Sequence, residues 1–104
     1  MHKSSRPEYF EAIIQLRPAT EELVEFLEKR IENEKGVHVA RRELTKTGAD
    51  YYVSSNKFAR KVGKEFKRKF KGELKESVKL YSQDRQSSKV LYRVTVCLRL
   101  REVL

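Results

Sequence analysis

Apolar and polar residues alternate with two different periods along the chain, and these periods divide it into strands and helices. Apolar residues at every second position of residues 9–17, and strict alternation at residues 90–101, are typical of strands with one buried face. Apolar residues at every third or fourth position in two intervening segments predict amphipathic helices. The predicted order is β-α-β-β-α-β-β, with strands at residues 9–17, 37–45, 49–54, 77–81 and 90–101. On the first strand, one face is expected to hold Phe10, Ala12, Ile14 and Leu16.

Capping residues and turns set the limits of these elements. Thr20 is the expected N-cap of the first helix, which should run to about residue 35 with Gly36 as its C-terminal cap. Ser55 or Asn56 is expected to cap the second helix. A turn at residues 45–48 predicts a hairpin between the second and third strands, and a polar loop at residues 82–89 is expected before the last strand.

The order of the elements predicts the fold class. Two β-α-β units joined by a hairpin indicate an α+β, ferredoxin-like split β-α-β sandwich extended by a last strand. Right-handed crossovers would place both helices on one face of an antiparallel sheet. The length of 104 residues predicts a single domain at residues 9–104, after a flexible N-terminus at residues 1–8.

The second helix combines an apolar face with a strongly basic one. Its apolar residues recur at i, i+4 spacing and comprise Phe58, Val62, Phe66 and Phe70. At about 100° per residue, the bases that fall on the opposite arc are Lys57, Arg60, Lys61, Lys64, Lys67, Arg68 and Lys71. Lys69 falls within the apolar arc, where its long stem can snorkel, and Gly72 is expected to end the helix.

The net charge of +9 is concentrated in the second half of the chain. Residues 55–104 hold fifteen Lys and Arg against five Asp and Glu, whereas residues 1–54 hold nine against ten. Residues 57–71 alone carry eight bases against one acid, Glu65. Such a field favours a polyanionic partner, although most charge runs on helices are only solvated faces.

No residue pattern of an enzyme is present. The sequence lacks a nucleophile with its base, paired carboxylates or a phosphate-cradling glycine loop, so we expect no catalysis and no cofactor. His38 lies in a strand pattern and is expected to be a surface or packing residue. Cys97 is the only cysteine, which excludes an internal disulfide and a cysteine zinc site, and it is expected to be half-buried. We therefore expect no metal. We expect a cytoplasmic location, because no segment reaches the length of a membrane span.

Nucleic acid is the polyanion that these features favour most. We expect phosphate contacts from the seven bases of the second helix together with Arg93 and Arg99. Further guanidinium groups on strands belong to Arg41, Arg42 and Arg101, and the strand tyrosines that offer stacking platforms are Tyr51, Tyr52, Tyr81 and Tyr92. Packing is the commoner role for strand tyrosines.

The chain also resembles a known family at scattered positions from residue 8 to residue 101. The matching positions are the opening EYFEAIIQLR, Gly48, Asp50, Tyr51-Tyr52-Val53, Ser54-Ser55, Ala59, Phe70, Ser77, Leu80, Arg93-Val-Thr-Val96 and Arg99-Leu100. On these residues the chain resembles the large-ribosomal-subunit export adaptor family, also known as nonsense-mediated decay protein three, and particularly its archaeal members.

The resemblance implies a non-catalytic domain that binds the large ribosomal subunit during late maturation. Its partners would be ribosomal RNA and ribosomal proteins. Family members carry paired CxxC motifs for zinc ahead of this domain, whereas this sequence has Cys97 alone. We therefore expect the central domain without the zinc-binding region, as an excised domain or a stand-alone relative.

Two other functions remain open from the sequence. The long last strand offers an edge for strand addition or dimerisation, so a protein-interaction module, monomeric or homodimeric, is the first alternative. A small basic DNA-binding protein is the second. Binding to acidic lipid is the least favoured interpretation, because the phenylalanines of the second helix are needed for the core.

Overall fold

The computed structural model describes residues 9–84 and 89–101, with side chains described as far as residue 80 and again from residue 92. Three features expected from the sequence lie outside this part of the chain. They are the flexible N-terminus at residues 1–8, the centre of the last loop at residues 85–88 and the stacking role of Tyr81.

Seven elements follow the predicted order along the chain. They are β1 (Ala12–Arg17), α1 (Glu21–Asn33), β2 (Val39–Thr45), β3 (Gly48–Val53), α2 (Asn56–Lys69), β4 (Gly72–Asp84) and β5 (Lys89–Leu100). Both N-caps are confirmed, since the hydroxyl of Thr20 accepts from Leu23 N and that of Ser55 accepts from Phe58 N. The first helix ends two residues earlier than expected, and Gly36 adopts a φ of 84° in the turn that follows it.

The strands form one mixed sheet in the order β2-β3-β1-β5-β4. The predicted α+β class with two helices is confirmed, but the expectation of an antiparallel ferredoxin-like sheet is wrong, because β5 runs parallel to β1. The last strand lies between β1 and β4 and displaces β4 to the edge. This arrangement suits the sequences of both strands: β5 supplies the buried residues Val94, Val96 and Leu98, whereas the charged β4 is tolerated at an edge.

The same topology corrects the idea that the last strand offers a free edge. Residues 94–99 of β5 pair with β1 on one side, and the strand pairs with β4 on the other. The two edges of the sheet are β2 and β4. β4 is also longer than the predicted residues 77–81, because backbone pairing with β5 extends a strand through charged residues that carry no apolar pattern.

The core lies on one face of the sheet. Alternate residues of β1, β3 and β5 are buried there, together with residues from both helices, so α1 and α2 cover the same face. The members that come from the helices are Leu23, Leu27, Phe58, Ala59, Val62 and Phe66. Phe10 departs from the prediction, because it precedes β1 and its ring contacts Tyr52 on the opposite, open face, with 4.9 Å between the ring centroids.

Candidate nucleic-acid interface

The apolar side of α2 packs closely against the sheet. Phe58 is 2% exposed, and Val62 and Phe66 are fully buried. Gly63 permits a close approach, since a Cβ at this position would lie 2.9 Å from Cδ1 of Leu74. All seven bases predicted on the opposite side are exposed, and we call them the basic arc: Lys57, Arg60, Lys61, Lys64, Lys67, Arg68 and Lys71.

Lys69 behaves as the sequence predicted for a base within the apolar arc. Its Nζ lies 5.7 Å from the centroid of the Phe26 ring on α1. Phe26 in turn packs against Phe70, the C-cap of α2, with 5.2 Å between the ring centroids. The stem of Lys69 therefore lies at the contact between the two helices. A cation–π interaction with Phe26 holds its ammonium there, so Lys69 does not belong to the basic arc.

The only acid of α2 points away from the basic arc. Oε1 of Glu65 accepts a hydrogen bond of 2.5 Å from Nε of Arg30 on α1, and both side chains are less than a fifth exposed. Burial alone lowers the pKa of Arg30, but hydrogen bonds and charges from Glu65 and Glu34 outweigh burial and raise that pKa. Because Arg30 stays charged, it neutralises Glu65, and no acid within α2 offsets the basic arc.

A groove runs between the first turns of α2 and the connection from α1 to β2. We call it the α2 groove, and its volume is about 590 Å³. It is lined by Glu34, Lys35, Gly36, Val37, Ser55, Asn56, Lys57, Phe58, Arg60, Lys61 and Lys64. Five of these residues are exposed cations and one is an acid, so the groove is strongly basic.

Lys35 is the cation of this groove that the sequence pattern did not predict. It belongs to the turn after α1, about twenty positions before the basic arc, and carries no periodic signal. The left-handed conformation of Gly36 turns the chain there, and the turn lies beside the start of α2. Only this tertiary contact adds Lys35 to the cations of α2.

Within the described part of the chain, the basic arc has few partners, and all of them are weak. Arg60 lies 3.4 Å from Glu76, and Lys61 lies 3.6 Å from Glu34, in both cases with the cation at least half exposed. Nζ of Lys67 donates to the carbonyl oxygen of Gly72 at 3.1 Å. The remaining cations of the arc have no carboxylate within 4.0 Å among the described residues: Lys57, Lys64, Arg68 and Lys71.

Arg93 and Arg99 do not join the basic arc. They alternate along β5 with residues that face α2, and therefore lie on the open face of the sheet. The guanidinium carbon of Arg93 sits 3.8 Å from the centroid of the Phe10 ring. The nine residues predicted to bind nucleic acid are thus divided between two opposite sides of the sheet.

Two of the other strand residues considered for nucleic acid make structural contacts with α1. The ring of Tyr51 is buried on the helix side, and its hydroxyl donates to Oε2 of Glu28 at 2.7 Å. Arg42 forms a fork onto the same carboxylate, with hydrogen bonds of 2.8 and 2.9 Å. Through these contacts, Tyr51 and Arg42 hold α1 to the sheet.

This cluster shifts the pKa values of Glu28 and Tyr51, and it also raises that of Arg42, mainly through the hydrogen bond to Glu28. The hydrogen bond from Arg42 is the main reason that the pKa of Glu28 is lowered, against an opposing effect of burial. Burial first, and then the hydrogen bond to Glu28, raise the pKa of Tyr51 to about 12. All three shifts favour the protonation states that hold at neutral pH.

The open face carries a row of two aromatic rings flanked by two guanidinium groups. Arg93 lies over Phe10, Phe10 meets Tyr52 edge to face, and the guanidinium of Arg41 lies 4.2 Å from the centroid of Tyr52. The face of Tyr52 nearest β2 is therefore covered by Arg41. Tyr92 alternates with Arg93, so it lies on the helix side of β5, where it is 50% exposed.

Other candidate chemistry is sparse in the described residues. His38 is exposed and Cys97 is half-buried, as expected. No group of three or more His, Cys, Asp or Glu side chains in residues 9–84 and 89–101 is arranged to hold a metal ion. None of the helices described is long and apolar enough to cross a membrane.

Comparison with known proteins bears directly on the resemblance seen in the sequence. A family model described as NMD3, second domain, matches residues 9–100, which include every strand and helix of the fold. That family consists of ribosome-associated adaptors of the large ribosomal subunit and is not known for enzymatic activity. No curated protein matches the chain. On the family match, the resemblance is confirmed, and the chain belongs to the NMD3 family through its second domain.

Proposed function

We propose that this domain binds ribosomal RNA of the large subunit through the basic arc and the α2 groove, as a non-catalytic accessory in subunit maturation. The observation that carries the proposal is the collection of five exposed cations around one groove that contains a single acid, Glu34. A polyanion is the partner whose charge matches such a surface. RNA is the polyanion that a ribosome-associated family meets.

The charge pattern of α2 is costly unless a polyanion binds it. Helix faces that serve only solubility mix acids and bases at i, i+4 spacing, which stabilises a helix, whereas like charges at that spacing destabilise it. The first turn of α2 contains no acid, although an acid there would interact favourably with the helix dipole. The positive end of the helix and the cations beside it together form an environment that favours phosphate.

Few existing interactions would have to be broken for phosphates to bind. The ion pairs of Arg60 and Lys61 are long and half exposed, and exposed pairs are worth only about 0–1 kcal/mol. Each phosphate bound by a cation releases condensed counterions, so the affinity falls steeply as salt rises. Contacts of this kind fix the position of the domain on RNA without reading its sequence.

Charge reversal at Lys57 and Lys64 tests this proposal. Both side chains line the α2 groove and neither has a carboxylate partner among the described residues, so Lys57→Glu with Lys64→Glu breaks no ion pair. An acid at position 57 also suits the start of a helix, so the variant should fold. The control is Lys29→Glu with Lys79→Glu, which makes the same change in net charge at exposed positions away from the α2 groove and, among the described residues, breaks only the exposed ion pair of Lys29 with Glu25.

The readout is fluorescence anisotropy with fragments of large-subunit ribosomal RNA, with circular dichroism to verify the fold. We expect the affinity of the groove variant to fall at least about tenfold, and its salt dependence to become shallower by about one unit for each phosphate that it no longer binds. The affinity of the control variant should fall much less. Equal decreases in the two variants would mean that only total charge matters, and would contradict a defined site.

Binding to another protein is the second candidate function. The strand that offers an edge for it is β4, not β5 as expected from the sequence. Val78 and Leu80 on β4 are 48% and 62% exposed, beside Tyr92 on β5, and form an apolar patch on an edge. A salt-insensitive dimer in light scattering over a range of concentrations, abolished by Leu80→Lys, would favour this function. Preference for duplex DNA over ribosomal RNA in a competition assay would instead favour a basic DNA-binding protein.

A further inference from the structure

A second basic depression lies at one end of the sheet, on a different side of the molecule from the α2 groove. We call it the sheet-end groove. It has a volume of about 630 Å³ and is formed by the end of β1, the turn between β2 and β3, the start of β4 and the end of β5. Its charged lining residues are Arg17, Lys46, Glu73, Arg99 and Arg101.

Three of its four cations are free to meet a ligand. Lys46, Arg99 and Arg101 are exposed and have no carboxylate within 4.0 Å in the part of the chain that the structure describes. Arg17 is occupied, because Nη1 donates to the carbonyl oxygens of Leu16 and Ala49 and Nη2 lies 2.7 Å from Oδ1 of Asp50.

The backbone holds these cations close together. Arg17 and Arg99 are direct partners in the register of the parallel pair β1 and β5. Like charges directly opposite one another on neighbouring strands destabilise a sheet. Asp50 compensates Arg17, whereas Arg99 stands opposite Glu73 on its other side without forming an ion pair. A bound anion would relieve this repulsion.

The end of the last strand is also fixed in place. The backbone N–H of Arg101 donates to the carbonyl oxygen of Lys71 at 3.0 Å, which ties the end of β5 to the residue after α2. Lys46 lies in the two-residue turn between β2 and β3, where Thr45 pairs with Gly48. Two guanidinium forks and one ammonium on such fixed elements suit the oxygens of a phosphate group.

We propose that the sheet-end groove binds a backbone phosphate of a second RNA segment, so that the domain bridges two parts of a folded RNA. Arg99 lies on the face of the sheet opposite the helices, and the two grooves share no lining residue, so they are separate sites. The inference rests on the RNA partner proposed above but not on the α2 groove, and the two sites can succeed or fail separately.

Backbone amide shifts in NMR spectra test the site residue by residue. The probe is a short oligouridylate titrated into the intact chain at low salt. We expect shifts at Thr47, Leu100 and Arg101 that saturate with the oligonucleotide. Shifts confined to residues 55–64 would overturn this inference and leave the α2 proposal intact. Shifts confined to the sheet end would support the inference and contradict the α2 proposal, and no shifts at either place would overturn both.

Two further measurements identify the ligand and the side chains. Inorganic phosphate titrated in the same way should bind far more weakly than the oligonucleotide, and equal affinities would overturn the assignment to RNA. Lys46→Glu with Arg101→Glu should lower the affinity for the oligonucleotide at least about tenfold. The pair Lys29→Glu and Lys79→Glu again serves as the control, and equal decreases in the two variants would contradict the site.

Discussion

Nε of Arg30 on α1 donates a hydrogen bond to Oε1 of Glu65 on α2, and this contact joins the two helices over the core. It has two consequences. The pair ties α2 in place, and it turns the only acid of that helix toward α1, so the exposed side of α2 is left with cations alone. One interaction therefore serves both the stability of the fold and the charge of the candidate interface.

Replacement of Glu65 should destabilise the fold. Glu65→Gln removes the negative charge that balances the partly buried Arg30 and leaves Glu34, at 3.3 Å, as its carboxylate partner, so we expect the free energy of unfolding to fall by about 1–2 kcal/mol. Urea denaturation measures it. Glu25→Gln removes the exposed i, i+4 pair with Lys29 and should cost less than about 0.5 kcal/mol. Equal costs for the two substitutions would mean that the Arg30 pair is not structural.

Glu28 should make stability depend on pH on the acid side. Its folded pKa is lowered from 4.5, mainly by Arg42, so its contribution is present above pH 4.5 and disappears as the pH falls through the lowered pKa. Glu28→Gln should therefore lower the free energy of unfolding at neutral pH by about 1 kcal/mol. The gap between wild type and variant should close in acid. A gap that is independent of pH would contradict the assigned ion pair.

Tyr51 should make stability depend on pH on the alkaline side. Its pKa is raised from 10.0 to about 12, so the folded state favours the neutral phenol, and the resulting stability is lost as the pH rises from 10 toward 12. Ultraviolet absorbance at alkaline pH should show one tyrosine that ionises late. Tyr51→Phe should remove that late step, whereas Tyr92→Phe, at a half-exposed position, should leave it.

Gly72 should resist replacement because two elements approach it. A Cβ at this position would meet the backbone carbonyl oxygen of Arg99, and it would lie 2.7 Å from Cζ of Phe66. Backbone cannot yield as a flexible side chain does, so Gly72→Ala should destabilise the fold by about 2 kcal/mol. Thermal or urea unfolding checks this value. The adjacent exposed position is the control, and Lys71→Ala should change stability by less than about 0.5 kcal/mol.

Periodicity, together with capping residues and turns, was enough to predict the order of the elements, because each helix and most strands have a regular buried face. It also predicted the basic arc, since all seven residues belong to one amphipathic segment. The strand order was not predictable in this way. The alternation of β5 would be the same beside β1 or at an edge, and the charged positions of β4 do not show how far its backbone pairing extends.

The grooves depend on contacts between distant parts of the chain, and the sequence pattern does not encode them. Lys35 lines the α2 groove only because the chain turns at Gly36. Lys46 lines the same groove as Arg101 only because strand pairing brings the ends of distant segments together. The structural contacts of Tyr51 and Arg42 were not predictable for a related reason. Their partner Glu28 comes from α1, and a strand pattern gives no indication of which carboxylate will be nearby.

Co-sedimentation with purified ribosomal subunits over a range of salt concentrations tests directly whether α2 binds ribosomal RNA of the large subunit. We expect the chain to bind large subunits in preference to small ones, and this binding to weaken steeply as salt rises. Lys57→Glu with Lys64→Glu should lower the affinity at least about tenfold, whereas Lys29→Glu with Lys79→Glu should lower it much less. Binding of the groove variant to large subunits at the wild-type level would contradict the claim that α2 contacts ribosomal RNA.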